Sequence, residues 1–129
     1  MPQPPQTSLL KPRRVPLSGR SHLSLEPDPA APARYLVRFC GLDRDPAARA
    51  ATERARVRLM LASLRGQAAY PYPLPARLVI GVLDRDGWHP GASGYAAALA
   101  AMPAVRSALD ELMSDLMLRV ALVAAGRTD

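Results

Sequence analysis

Residues 84–95, which read DRDGWHPGASGY, hold the group of side chains best suited to chemistry. Asp86 and His89 are three residues apart, with Gly87 between them and Pro90 directly after. A carboxylate that orients a histidine allows the imidazole to act as a general base, the arrangement that activates a nucleophile. The spacing therefore makes Asp86 and His89 candidate catalytic residues.

The segment DGWHP at 86–90, followed by Gly94, Tyr95 and an alanine-rich stretch, resembles the terminal catalytic block of SGNH (GDSL-type) hydrolases. The resemblance implies that Asp86 orients His89, and that His89 acts as the base for a serine on an earlier loop. The sequence contains neither a Gly-Asp-Ser nucleophile motif nor a Gly-x-Asn-Asp oxyanion motif. Because acyl transfer depends on both groups, an SGNH-like hydrolase remnant is kept only as the alternative function.

The residues Asp84-Arg85-Asp86-Gly87 also resemble the first motif of haloacid-dehalogenase-type phosphotransferases, a strand followed by Asp-x-Asp-Gly. That resemblance implies a nucleophilic Asp84 and an acid/base Asp86 beside bound magnesium. Trp88 stands where the family has Thr or Val. We prefer a third interpretation, in which residues 84–94 form a strand-to-helix turn shaped by Asp and Gly.

Metal and phosphate motifs give no further candidate. A zinc site needs about four ligands at recognisable spacing, whereas Cys40, His22 and His89 occur singly. The glycines between residues 87 and 94 lack the Lys-Ser/Thr of a phosphate-binding loop. We therefore expect no metal, no cofactor and, more broadly, a protein that is not an enzyme.

The net charge of +6 is concentrated in the N-terminal half of the chain. Arginine and lysine side chains neutralise phosphates, and a basic arm can follow a nucleic-acid backbone. This pattern predicts contacts with nucleic acid or another acidic partner. The candidate residues are Lys11, Arg13, Arg14, Arg20, Arg49, Arg54, Arg56 and Arg58.

The pattern of apolar residues predicts a single domain of the α/β (or α+β) class. Prolines hold residues 1–20 extended as a flexible, basic, proline-rich arm, and residues 21–129 form the domain. We expect a small sheet of two to three strands at 21–26, 34–40 and 77–83, with the last at its centre and buried on both faces. The strand-helix-strand order favours a parallel pair with a right-handed crossover.

Residues 46–65 carry the strongest helix signals, because Asp45 is a good N-cap, Pro46 suits the first turn and Gly66 follows the last turn. Its main apolar face is flanked by arginines, and a strip of small residues opposite predicts a contact on the back of the helix. A C-terminal helical pair follows at 95–102 and 103–124. Leu118 and Leu122 lie off the main stripe of that last helix and are the candidate partner interface.

The lone Cys40 and the absence of an apolar export segment or membrane span predict a cytoplasmic location with no membrane contact. A core rich in alanine buries little area, which favours self-association. The sequence thus predicts a small non-enzymatic interaction module. It would self-associate or dock in an assembly, and would contact nucleic acid through its basic half.

Overall fold

The computed structural model describes residues 10–31, 33–66 and 75–126. These residues form five strands, β1 (Arg13–Pro16), β2 (His22–Pro27), β3 (Tyr35–Cys40), β4 (Arg77–Asp84) and β5 (Gly87–Pro90). They also form four helices, α1 (Pro46–Ala51), α2 (Glu53–Leu64), α3 (Gly94–Ala100) and α4 (Pro103–Ala124). The mixed α/β class is confirmed, but the sheet has five strands rather than two to three.

The five strands pair in chain order, and every neighbouring pair is antiparallel. The predicted parallel pair with a right-handed crossover is therefore wrong. Helices α1 and α2 leave β3 and return to β4 at the same end of the sheet. The carbonyl oxygen of Ala76 there accepts the N–H of Gly41 at 2.8 Å and that of Leu42 at 3.2 Å. A connection that returns to its own end reverses the next strand.

One buried hydroxyl divides the helix predicted over residues 46–65 into α1 and α2. Thr52 lies between them, and its Oγ1 donates to the carbonyl oxygens of Ala48 at 2.9 Å and Arg49 at 3.2 Å. Such back-bonding by threonine bends a helix. The predicted ends are confirmed: Asp45 accepts from the N–H groups of the first turn, and Gly66 follows α2 at φ +72°.

One face of the sheet forms the core. Tyr35, Val37 and Phe39 alternate along β3 and are fully buried, as period-two alternation requires. The buried side of α4 packs in the same cluster, through Val105, Ala108, Leu109, Leu112 and Leu116. On β2, β3 and β4, most of the residues that alternate with the core positions are half-buried or exposed.

The central strand is β3, not the strand at 77–83 that was predicted to occupy the centre. β4 pairs with β3 on one side and β5 on the other. It is also not buried on both faces, because Val79 is opposite Arg38 on the open face and is 39% exposed. Its apolar run reflects a bulge between Val37 and Arg38, where Ile80 is an extra, buried residue.

Helix α2 meets the rest of the protein through its strip of small residues. Ala55, Leu59 and Ala62 are half-buried, and α2 contacts α3 near Gly94, where an added Cβ would lie 3.4 Å from that of Ala55. The larger apolar face of α2 is exposed and no residue of this helix is fully buried. The contact predicted for the back of the helix is thus its main attachment.

Part of the segment predicted as an arm belongs to the sheet. Residues 13–16 form β1 and pair with β2, while Leu10 is buried in the core and donates its N–H to Tyr35 Oη at 2.7 Å. Arg13 also forms an ion pair with Asp115 of α4. Residues 1–9 lie outside the described residues. Of the helices described, none has the length and apolar character to cross a membrane.

The packing between β4 and β5 gives a direct test of the fold. An added Cβ at Gly81 would lie 2.4 Å from the Trp88 ring and 2.5 Å from the carbonyl oxygen of His89, so both must move. We expect Gly81→Ala to lower the free energy of unfolding by about 2 kcal/mol or more, measured by urea denaturation. Gly19→Ala is the control, because nothing lies within 4 Å of that position. Equal urea midpoints for the two variants would contradict this packing.

Candidate functional site

The hairpin of β4 and β5 pairs His89 with Asp84 rather than with Asp86. His89 Nε2 lies 2.8 Å from Asp84 Oδ1, which also accepts the N–H of Asp86 at 2.8 Å and that of Gly87 at 3.2 Å. His89 is opposite Val82, two residues before Asp84, so both polar side chains project from one face of the sheet. Asp86 sits at the tip of the turn between β4 and β5. The strand-to-helix turn predicted over residues 84–94 is wrong, because Gly87–Pro90 pair with β4 as a strand.

The Asp84–His89 pair is an exposed contact of the hairpin. The hydrogen bond from His89 is the largest of the interactions that hold the pKa of Asp84 below its usual value. In the described part of the chain, His89 has no other hydrogen-bonding partner, and no serine hydroxyl reaches it. Three or more His, Cys, Asp or Glu side chains do not come together as a metal site anywhere in the described ranges.

A basic cleft opens at one end of the sheet, and it is the site that the structure adds to the sequence interpretation. Its volume is about 1080 Å³. β1 ends there, β2 begins, β3 ends and β4 begins, so that the chain enters or leaves the sheet four times at this edge. The turn at 18–21, the loop at 41–44 and the start of α1 complete its walls.

The register of the sheet brings the floor of this cleft together. Pro16 is opposite His22, His22 is opposite Cys40, and Cys40 is opposite Arg77. Side chains opposite one another in antiparallel strands project from the same face, so these residues form one row across four strands. Arg14, two residues before Pro16, projects beside the row on the same face.

Arginine dominates the charge of the cleft. Among the described residues, the lining includes five arginines and a single acidic residue, Asp43. The arginines are Arg14, Arg20, Arg44, Arg49 and Arg77. Arg44 lies 3.9 Å from Asp43, whereas the other four have no carboxylate within ion-pair distance among the described residues.

His22 responds to this field. Burial lowers its pKa first, and the positive charges of Arg14 and Arg77 lower it further. The imidazole is therefore neutral near pH 7, and it offers the cleft a hydrogen-bonding group without adding charge. The two arginines that lower the pKa of His22 come from β1 and β4, two strands that are not neighbours in the sheet.

Asp45 links two segments that line the cleft. Its Oδ1 accepts the N–H of Ala47 at 2.9 Å and of Ala48 at 3.2 Å, and its Oδ2 accepts the hydroxyl of Ser21. Burial alone would raise its pKa, but these bonds and that from Ser18 hold the pKa of Asp45 below its usual value. One carboxylate thus joins the start of α1 to the turn before β2.

Gly41 allows the two walls to approach. Its φ is +92°, and an added Cβ would lie 2.2 Å from the carbonyl oxygen of Arg20. Only glycine adopts this conformation readily and leaves room for that carbonyl. The end of β3 therefore packs directly against the turn that carries Arg20.

Only some of the basic residues predicted from the sequence line the cleft. Arg14, Arg20 and Arg49 line it, whereas Arg44 and Arg77 were missed. The remaining predicted residues, Lys11, Arg13, Arg54, Arg56 and Arg58, are not in its lining. The sequence indicates that Arg77 begins a strand. It does not indicate that Arg77 lies near His22, because that placement depends on the antiparallel register of β4.

The predicted partner interface lies on α4, away from the core side of that helix. Leu118 is 59% exposed and Leu122 is half-buried. The buried side of α4 begins at Val105 and ends at Leu116, so it includes neither residue. Both leucines are therefore available for a contact outside the core.

Replacing Asp45 should loosen the cleft wall in a pH-dependent way. Asp45→Ala removes an N-cap and the acceptor of a buried hydroxyl, so we expect a loss of about 2 kcal/mol in the free energy of unfolding at pH 7. Because the folded-state pKa is depressed, this contribution is complete above the unfolded pKa of about 4 and is lost as pH falls through the folded pKa.

Urea denaturation of the parent and of Asp45→Ala between about pH 7 and pH 2.5 measures this effect. The gap in unfolding free energy should narrow below about pH 4. Asp43→Ala is the matched control, since this exposed neighbour should change stability by less than about 0.5 kcal/mol. A gap that stays constant over the whole pH range would show that the charge of Asp45 contributes nothing.

Comparison with known proteins gives no family assignment. No protein-family model matches the chain, and no curated protein or solved structure matches it either. The chemistry of the basic cleft is therefore the basis for a proposal of function.

Proposed function

We propose that this protein is a non-enzymatic interaction module whose basic cleft binds the phosphate backbone of nucleic acid. The observation that carries the proposal is the set of four arginines, Arg14, Arg20, Arg49 and Arg77, which share one cleft without a carboxylate partner among the described residues. The fold brings them there from β1, a turn, α1 and β4. These segments are separate in sequence.

Positive charges grouped around a concave surface focus a positive potential there, and this potential attracts anions. Outside the cleft, Arg13, Arg34 and Arg38 are paired with acidic residues. Other described arginines, such as Arg54 and Arg58, are exposed without such a partner. The cleft arginines differ because the fold gathers four of them around one concave surface, which supports an external anion as their partner.

Phosphate fits the guanidinium groups well. The planar fork of arginine donates two parallel hydrogen bonds to a phosphate, and such charge-assisted bonds are among the strongest in proteins. His22 is neutral near pH 7 and adds a donor or an acceptor on the cleft floor. Ser18 stands in the lining with its hydroxyl near that of Ser21.

A polymer of phosphates suits this cleft better than one isolated anion. The cleft is open and large, and its unpaired arginines come from four separate segments of the chain. None of its described lining residues is Phe, Tyr or Trp, the side chains that stack on bases. We therefore propose binding through the backbone, with little dependence on base sequence and a strong dependence on salt.

The test replaces two arginines on opposite sides of the row. Arg14→Gln with Arg77→Gln should weaken binding of a fluorescent oligonucleotide about tenfold or more, measured by anisotropy at fixed salt. Over a salt series, the slope of log affinity against log salt should fall by about two, because each lost phosphate contact removes about one.

Arg54→Gln with Arg58→Gln is the matched control, since it removes the same charge from exposed positions on α2. It should leave both the affinity and the slope nearly unchanged. Equal weakening by the two double variants would show that net charge acts rather than the cleft. Displacement by polyglutamate with no binding of DNA or RNA would assign the cleft to an acidic protein and overturn the proposal.

A further inference from the structure

The exposed face of α2 carries an apolar stripe. Val57, Met60, Leu61 and Leu64 follow one another at helical spacing and project from a single side of the helix. Leu64 is 78% exposed, and the other three are at least 40% exposed. We name these four residues the α2 stripe. It is the side that an amphipathic helix ordinarily buries.

The positive charges beside the α2 stripe limit which surfaces can cover it. Arg54, Arg58 and Arg65 lie along one side of the stripe, given the rotation of about 100° per residue. Packing one α2 stripe against another would bring these arginines together, which repulsion disfavours. An apolar surface with acidic side chains at its edge would therefore complement the α2 stripe and the arginines beside it.

The outer face of α4 has this chemistry. Met117 and Leu118 are exposed, Leu122 is half-buried, and Asp110 and Glu111 are exposed two turns earlier on the same side. We name these five residues the α4 outer face. Of these five residues, only Leu118 and Leu122 were predicted from the sequence as a partner interface.

The spacing of charge and apolar groups matches between the two helices. Arg54 precedes Leu61 of the α2 stripe by seven residues. Asp110 precedes Met117 by seven residues, and Glu111 precedes Leu118 by the same interval. With the helices parallel and Leu61 opposite Met117 and Leu118, Arg54 lies opposite Asp110 and Glu111, and Arg58 follows one turn later.

We propose that a second copy of this chain covers the α2 stripe with its α4 outer face. The argument rests on charge complementarity and on the shared spacing, and is independent of nucleic-acid binding. Each copy carries both surfaces, so two reciprocal contacts about a two-fold axis would close a dimer. The basic cleft is lined by other residues.

Sedimentation velocity of the full chain over a wide concentration range tests the self-association. The parent should show a dimer that dissociates on dilution. Leu61→Ser with Leu64→Ser should raise the dissociation constant about tenfold or more, because it removes two buried apolar side chains from the contact. Val79→Ser, an exposed apolar position on the open face of the sheet, is the control and should not change it.

A charge exchange identifies the partner surface. Arg54→Glu with Arg58→Glu should weaken the dimer, and so should Asp110→Arg with Glu111→Arg. The chain that carries all four changes restores opposite charges and should regain most of the lost affinity. If all four changes together are no better than either pair, α4 is not the partner of α2.

Three further outcomes would overturn the proposal. One is a parent protein that remains monomeric at the highest concentration. Another is a serine double variant that lowers the urea midpoint of a monomer, which would show that residues of the same chain cover the α2 stripe. The third is an acidic amphipathic helix peptide that binds a monomeric parent, which would assign the stripe to a different protein.

Discussion

The carbonyl oxygen of Ala76 closes the longest excursion of the chain, and the arrangement of the cleft depends on this closure. By accepting the N–H groups of Gly41 and Leu42, it brings the chain back to the end of the sheet from which α1 departed. β4 must then run antiparallel to β3. This register places Arg77 opposite Cys40, which is in turn opposite His22 on its other side. A crossover to the far end of the sheet would have put Arg77 at the other edge.

Local signals were sufficient for the ends of the helices but not for the topology. Asp45, Pro46 and Gly66 act within a few residues of themselves, so their effects could be predicted from the sequence. The direction of β4 depends instead on where the chain returns after α2. A strand-helix-strand pattern permits either outcome, because the same helix can cross the sheet or fold back. The hydrogen bond predicted between Asp86 and His89 is not formed for the same reason, because the register of the turn places His89 beside Asp84 instead.

The same distinction applies to the arginines. Composition shows many of them, but their roles follow from the acidic residues that the fold brings near. Arg13 and Arg38, for example, are neutralised by residues far away in sequence or on the next strand. Arg14 differs from Arg13 by one position, yet the alternation of β1 directs it to the opposite face and into the cleft. Counting basic residues therefore could not locate the site.

Helix α2 shows why amphipathicity alone does not determine orientation. Its larger apolar side would gain more from burial, but Ala55 and Ala62 on the other side allow α2 to approach α3 closely, where Gly94 leaves space. Close backbone approach needs small residues, and the bulky stripe is left outside. The arrangement keeps an apolar surface and a cationic cleft on separate residues of one small domain. Each surface can then be altered without removing the other.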